Sequence, residues 1–384
     1  MSEVQNKRAE AIERIRQAAH RLRRLELVLA LASLLVGAAY LAVMIAWGST
    51  ALRSFVAREG RAGPVAVVFW YLLLFTLIYN IVHFPVAFLR GYVVERRFRL
   101  SRQRLRRWLW SEAKKYFLSA LFVVALGQVF YLFLRRFEGT WWFWAWLAYL
   151  VFGLVIGRYG ARILLPLFYK REELDDDALK DRMRELFSRA GFTVSDVKRI
   201  IVGQDTRKAN AAVTGLGSTR EVLLSDTILE LLEPGEIEAV TAHELAHIKS
   251  RHGEIMLVAG AAVSFAGFAL AAGALNLSAE ALGLDGISDV AGFPLIVLTF
   301  AGLFLVVSPL LNYLSRTLEW SADIWAARFT GKAQMLADAI EKLAANNLAE
   351  MDPPRYWQVL FSSHPAPASR ASTLRNIAEK SAGR

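Results

Sequence analysis

The amino-acid sequence predicts a mainly α-helical protein that crosses a membrane several times and carries a folded α+β domain outside the bilayer. Hydrophobic residues make up 55% of the 384 residues, and charged residues make up only 21%. The apolar residues are clustered in long runs, as in polytopic membrane proteins. A stretch at 169–254 instead mixes short strand-like and amphipathic helical patterns, which indicates a folded insertion.

Six apolar runs are long enough to cross about 30 Å of hydrocarbon as helices. They are Leu27–Trp47, Val65–Leu89, Tyr116–Leu134, Trp141–Phe168, Ile255–Leu275 and Gly292–Tyr313. These runs divide the chain into five parts. A basic N-terminal segment (1–26) precedes four spans with a basic loop at 90–115 (27–168), and the folded insertion (169–254) follows, with strands expected near 197–203, 210–215 and 221–225. Two further spans (255–313) and a C-terminal part of the folded domain (314–384) complete the order.

The distribution of charge predicts the orientation in the membrane. The net charge is +11, and most of the excess lies in segments beside the spans, with seven Lys and Arg in 1–26 and ten in 90–115. The loop at 276–291 contains no Lys or Arg. Basic loops stay on the cytoplasmic side. We therefore expect both termini and the folded domain in the cytoplasm, and no nucleic-acid partner.

The segment His243-Glu244-Leu245-Ala246-His247 is the first sign of chemistry. Two histidines four residues apart lie on the same side of a helix, where they can bind one zinc ion. Glu244 would then be the general base that takes a proton from the attacking water. The helix is expected to run from 236 to 252 and to end at Gly253. Because the chain has no cysteine, the remaining ligand must be His, Asp or Glu.

A zinc site with this motif needs a third protein ligand and an open position. Glu319, just beyond the sixth span, is the best candidate, and Asp323 on the same helix face would accept a hydrogen bond from a ligand imidazole. Without the motif, a solvated helix with an ion pair between Arg316 and Glu319 would be the favoured interpretation. His252 is predicted to lie on a different helix face, at the membrane edge and outside the ligand set.

Further blocks occur in a fixed order. They are Glu95-Arg96-Arg97-Phe98 followed by Ser101-Arg102-Gln103, Lys208-Ala209-Asn210-Ala211 with Gly215, Val222-Leu223-Leu224-Ser225-Asp226-Thr227, the Ser-Arg-x-x-Glu-x-x-x-Asp pattern at 315–323, and His364-Pro365 with Arg370. Together with the histidine motif, this set resembles the integral-membrane metallopeptidases of the type I CAAX prenyl endopeptidase family, which includes the bacterial HtpX-type proteases. The resemblance covers about residues 65–375.

The resemblance implies a zincin-like (gluzincin) metalloprotease domain with one Zn²⁺ per chain. His243, His247 and Glu319 would bind the metal. Asn210 and Ala211 would bind a peptide or protein substrate as an added strand. His364 would stabilise the oxyanion, and Asp323 and Arg370 would be supporting residues. Taken alone, Asn210 would be a turn amide and His364 a loop histidine.

This chain departs from the family in two respects. The prenyl endopeptidases have seven spans, whereas six are predicted here, and their His-Gly-Phe step is Arg96-Arg97-Phe98 here. The predicted function is a membrane-embedded zinc endopeptidase that resembles the CAAX prenyl proteases. The alternatives are quality-control cleavage of membrane proteins, as in HtpX-type proteases, and a non-proteolytic membrane protein with a degenerate metal site.

Overall fold

Six long apolar helical segments dominate the computed structural model, which describes residues 3–59, 63–215 and 217–382. Each is long and apolar enough to cross a membrane. They are Ile12–Arg58, Pro64–Arg97, Leu105–Arg136, Trp141–Gly160, His252–Ser278 and Val290–Thr330. The predicted polytopic α-helical architecture with six spans is therefore confirmed.

The helices of the first three spans run past the predicted apolar runs, and the fourth helix has the predicted bounds. Their segments are α1 (Glu3–Val43), a π-helical turn (Met44–Gly48), α2 (Ser49–Glu59), α3 (Pro64–Phe88), a second π-helical turn (Leu89–Val94), α4 (Glu95–Arg97), α5 (Leu105–Arg136) and α6 (Trp141–Phe168). Because α1 begins at Glu3, the described part of the basic segment before residue 27 belongs to the same helix as span one.

The spans pack through close contacts and a few polar bonds. A Cβ atom added at Gly127 would lie 2.2 Å from Leu72 Cδ1, so the absence of a side chain there lets α5 approach α3. Gln128 donates to the Val65 carbonyl at 2.8 Å, and His83 hydrogen-bonds Ser33 at 2.6 Å. Such bonds satisfy polar groups that lipid cannot satisfy.

Outside the bundle, four short strands form one mixed sheet in the order β1-β2-β4-β3. Their bounds are β1 (Lys170–Glu173), β2 (Asp196–Ile201), β3 (Ala211–Thr214) and β4 (Glu221–Ser225). Strands β2 and β4 are parallel, and the other two pairs are antiparallel. Three strands agree with the predicted ones within a few residues. Strand β1 was not predicted, because its sequence Lys-Arg-Glu-Glu has no alternation of apolar and polar residues.

Six of the described helices pack with this sheet in one hydrophobic core. They are α7 (Asp177–Arg189), α8 (Asp226–Leu231), α9 (Pro234–Lys249), the end of α11 (Phe293–Thr330), α12 (Ala333–Asn346) and α14 (Pro367–Ala382). Helix α10 (His252–Ser278) is the fifth span, and the short helix α13 (Arg355–Phe361) lies between α12 and α14 in the chain. A capping box between Glu233 and Glu236 begins α9. The long helix α11 continues without a break from the sixth span into the folded domain, so a single element joins the membrane to the core.

The helix carrying the histidine motif ends earlier than predicted. It stops at Lys249, and Arg251 has a left-handed φ of 54°. The next helix, α10, begins at His252. The predicted end at Gly253 is therefore wrong, because a non-glycine residue takes the conformation that terminates the helix. This break turns α10 away from α9 and changes where the His252 side chain points.

Candidate metal centre

The motif helix α9 brings three polar side chains to one side. His243 is buried, whereas His247 and Glu244 are half-buried. The Nε2 atoms of His243 and His247 lie 3.3 Å apart. The spacing of four residues therefore brings the Nε2 atoms of the two rings together on one side of the helix, as helical periodicity predicts.

Helix α11 adds the third group at the same point. Glu319 Oε2 lies 3.4 Å from His243 Nε2, and Glu319 Oε1 lies 3.4 Å from His247 Nε2. A tetrahedral ion with ligand distances of about 2.1 Å has ligand–ligand edges of about 3.4 Å. The three measured separations match those edges, so these residues fit a metal ion with one position left open.

The ring of His243 is oriented from the far side by a buried ion pair. Its Nδ1 faces Asp323 Oδ1 at 2.8 Å. Arg370 on α14 donates two hydrogen bonds of 2.7 Å to the same carboxylate. A carboxylate on the outer nitrogen favours the tautomer that leaves Nε2 free for a metal. Both predicted supporting residues thus lie directly behind a predicted ligand.

The ring of His247 has a different partner, which the sequence did not reveal. His252 is 4% exposed, and its Nδ1 hydrogen-bonds His247 Nδ1 at 3.0 Å. With Nε2 of His247 on a metal, Nδ1–H is the donor in this bond. The prediction of a different helix face assumed one straight helix to residue 252. The turn at Arg251 brings the ring back instead.

The charged groups of the site shift one another's pKa values. Burial tends to raise the pKa of Glu319, but the rings of His243, His247 and His364 outweigh burial and lower it. Burial alone would lower the pKa of His243, but the carboxylates of Asp323 and Glu319 raise it to about 9. A cation must therefore displace a proton from His243, which is usual for histidine ligands.

Glu244 is the acid–base candidate, and its environment supports that role. Burial raises the pKa of its carboxyl group, and the neighbouring histidines only partly offset this effect. A carboxylate whose pKa is raised toward neutrality accepts a proton more readily from water. The side chain opens into a cavity of about 320 Å³ that His243 and Glu319 also line.

One edge of the sheet forms a wall of this cavity. Asn210 is exposed and immediately precedes the edge strand β3, which starts at Ala211. The Asn210 backbone is held by Ser225, through bonds of 3.0 Å to its N–H and its carbonyl. The outer edge of β3 pairs with no other described strand. The opposite wall is apolar and comes from α12, with Leu336, Ile340 and Leu343.

His364 stands at the mouth of the cavity, with its side chain 62% exposed. Its Nδ1 lies 2.8 Å from Glu319 Oε2. The end of α13 and the start of the loop before His364 are held by Arg316 on α11, which donates to the carbonyls of Gln358 at 2.6 Å and Ser362 at 2.7 Å. The alternative pairing of Arg316 with Glu319 is not observed. Arg316 belongs to the motif at 315–323, but the sequence did not show which atoms it would bind.

The structure therefore brings all the predicted site residues to one place. A His-His-Glu cluster, an adjacent carboxylate and an open sheet edge beside membrane helices define the class of membrane-embedded metallopeptidases. The chain belongs to peptidase family M48, whose model matches residues 173–378. A second family model, described as the CAAX prenyl protease N-terminal region with five membrane helices, matches residues 8–170.

Individual proteins are similar over most of the chain. The uncharacterized metalloprotease YhfN of Bacillus subtilis is 29% identical over 300 residues, which cover 77% of this chain and 70% of that protein. CAAX prenyl protease 1 of Saccharomyces cerevisiae is 26% identical over 345 residues, covering 84% and 75%. The crystal structure of S. mikatae Ste24p has the same fold, with a TM-score of 0.83 at 22% identity over 93% of this chain and 88% of that chain.

Proposed function

We propose that this chain is a zinc endopeptidase that cleaves prenylated peptides at the cytoplasmic face of its membrane. The observation that carries the proposal is the set of separations of 3.3–3.4 Å among His243, His247 and Glu319, with Glu244 in the same cavity. A zinc ion held by these three residues supplies Lewis acidity to the attacking water and to the scissile carbonyl.

The remaining steps belong to side chains of the chain itself. Glu244 takes a proton from the water as its oxygen bonds to the carbonyl carbon, and returns that proton to the leaving amine as the C–N bond breaks. The His364 N–H donates to the oxyanion that develops on the carbonyl oxygen. Asn210 and Ala211 bind the substrate backbone as a further strand on β3.

Two observations support a prenylated substrate with aliphatic residues near its C-terminus. The relative from Saccharomyces cerevisiae is a CAAX prenyl protease. The α12 wall of the cavity presents Leu336, Ile340 and Leu343 to the position where substrate side chains would lie. An apolar wall favours aliphatic side chains.

The cytoplasmic placement is supported by charge. Arg53 pairs with Asp285 at 2.7 Å and contacts Asp289 at the end of the bundle remote from the metal centre, where the 276–291 loop lacks Lys and Arg. The described part of the basic N-terminal segment contacts the folded domain through Arg23 and Glu350, and the basic loop at 90–115 contacts it through Glu95 and Lys208. The positive-inside rule assigns the end of the bundle with the folded domain to the cytoplasm.

The substitution Glu244→Gln tests the catalytic role. Zinc content should stay at one ion per chain, while cleavage should fall by at least about 100-fold, because general base catalysis is lost. Glu254→Gln removes the same charge from an exposed position on α10 and should leave both unchanged. Cleavage by the Glu244→Gln protein at the wild-type rate would overturn the mechanism.

Substrate class is tested with a farnesylated peptide and the same peptide without its lipid. Faster cleavage of the farnesylated peptide is expected. Equal cleavage of both, together with cleavage of unfolded membrane proteins, would favour a quality-control protease. Absence of zinc and of cleavage in the wild-type protein, even with zinc supplied, would favour a non-proteolytic membrane protein.

The orientation is tested by labelling, which the absence of native cysteine makes simple. Single cysteines at exposed Ser381 and at exposed Glu280 are treated with a membrane-impermeant maleimide in intact cells. Labelling of the Glu280→Cys protein alone is expected. Labelling of the Ser381→Cys protein instead would place the metal centre on the other side.

A further inference from the structure

A cleft of about 730 Å³ opens where the first two spans meet the folded domain. It shares no lining residue with the cavity of the metal centre. Among the described residues that line it, none is acidic. Its charged walls are Arg14, Arg21 and Arg24 on α1, Arg97 and Arg99 at the end of the second span, and Arg207 in the loop before β3.

Little of this positive charge is neutralised within the protein. Arg14 lies 3.6 Å from Glu10 on its own helix, in a solvent-exposed pair. Arg207 donates to the Asn346 carbonyl at 3.1 and 2.9 Å, which leaves its charge uncompensated. Among the described side chains, no ion pair involves the other four arginines. They are Arg21, Arg24, Arg97 and Arg99.

Two nearby carboxylates have partners outside the cleft. Glu95 pairs with Lys208 at 2.8 Å, and Glu350 is in contact with Arg23 and His20. Arg99 also adopts a left-handed backbone with φ of 57°, which is uncommon for a residue other than glycine. Among the described residues of this cluster only Arg14 has an acidic partner, and Arg99 has an unfavourable backbone conformation. Such a concentration of uncompensated positive charge indicates a site for an anion.

The position of the cleft indicates what kind of anion it takes. Leu25 lines it two residues before the apolar run of span one, and Phe98 lines it just after span two ends at Arg97. The cleft is therefore level with the membrane edge, where lipid phosphates lie. Ile15, Ala18 and Leu348 add further apolar walls. This mixture of guanidinium and apolar surface suits an amphiphile better than a free ion.

We propose that this cleft binds the phosphate headgroup of an anionic membrane lipid, with the guanidinium groups on the phosphate and the apolar walls against the glycerol and the first acyl carbons. The planar guanidinium offers paired N–H donors that match phosphate oxygens. The site would hold a lipid beside the spans, independently of whatever the metal centre cleaves.

The test measures binding of fluorescent phosphatidylglycerol and fluorescent phosphatidylcholine to the full-length chain in neutral detergent micelles. Wild-type protein should bind phosphatidylglycerol more tightly. The variants Arg21→Gln/Arg24→Gln and Arg97→Gln/Arg99→Gln, one pair from each wall, should each weaken phosphatidylglycerol binding by roughly 30-fold, because each basic side chain near an anionic lipid contributes a factor of about five.

The matched control is Arg104→Gln/Arg106→Gln, which removes two exposed arginines from the same basic loop outside the cleft. It should leave the affinity unchanged, and an equal loss in this variant would overturn the proposal in favour of general charge attraction. Competition by inorganic phosphate as strong as by phosphatidylglycerol would overturn the lipid assignment. Equal binding of the two lipids by wild-type protein would overturn the site itself.

Discussion

The metal centre has two halves that are built in different ways. In the α9 half, His243 and His247 meet because they are four residues apart on one helix. In the α11 half, Glu319 and Asp323 reach the same point only because α11 packs against α9 after crossing the membrane. One half depends on local geometry and the other depends on the tertiary fold.

The two halves also hold their ligands with different chemistry. His243 is oriented by a buried carboxylate that is itself fixed by Arg370. His247 is oriented by the imidazole of His252 from the start of the next helix. His243 thus has a charged partner, whereas His247 has a second imidazole. Mutations of these two partners should therefore have effects of different size.

Glu319→Ala should have the largest effect. Removing a ligand should lower zinc affinity by more than about 100-fold, because losing a residue that only supports a ligand already lowers it by about 10- to 100-fold. Cleavage should disappear with the metal. Zinc is measured by competition with a chelator. Glu341→Ala, which removes a carboxylate from a partly exposed ion pair with Arg375, is the control and should keep both properties.

Arg370→Gln should come next, as a loss of stability. The ion pair with Asp323 is almost fully buried, so the buried carboxylate would lose its arginine and, among the described residues, keep only the contact with His243. The free energy of unfolding should fall by about 3–5 kcal/mol, measured by denaturant titration in micelles. Arg375→Gln, five residues later on the same helix and in a half-exposed pair, should cost less than about 1 kcal/mol. Equal costs would contradict the comparison.

His252→Ala should have a smaller effect, limited to the metal. Zinc affinity should fall by about 10-fold, while cleavage at saturating zinc should change little, because the ligands and Glu244 remain. His252→Asn offers a side-chain oxygen that accepts the same hydrogen bond and should restore most of the affinity. Unchanged zinc affinity in the alanine variant would show that the bond to His247 has no orienting role.

Arg316→Gln should give the smallest effect. The substitution releases the loop that precedes His364, so kcat should fall by about 10-fold. A larger loss of roughly 100-fold in rate would be expected only if a catalytic group moved by a full ångström. Zinc content should not change. Arg328→Gln, at an exposed position on the same helix, serves as the control. A loss of zinc in Arg316→Gln would contradict a role confined to the loop.

Much of this arrangement could be predicted from local pattern. The six spans follow from apolar length, and the facing rings of His243 and His247 follow from helical spacing. Glu319 and Asp323 were predicted by the need for a third ligand and from a known family motif. The strand β1 was missed, because its charged sequence forms a strand only through pairing with β2.

The sequence alone determined the spans, the mainly α-helical class and the pairing of His243 with His247 on one helix, because these depend on composition and on spacing within single helices. The tertiary structure decided how those residues are held. The left-handed turn at Arg251 directs His252 toward His247, and the passage of α11 through the membrane and beside α9 places Glu319 within 3.4 Å of both rings. These contacts join distant parts of the chain, and no local pattern specifies their distances.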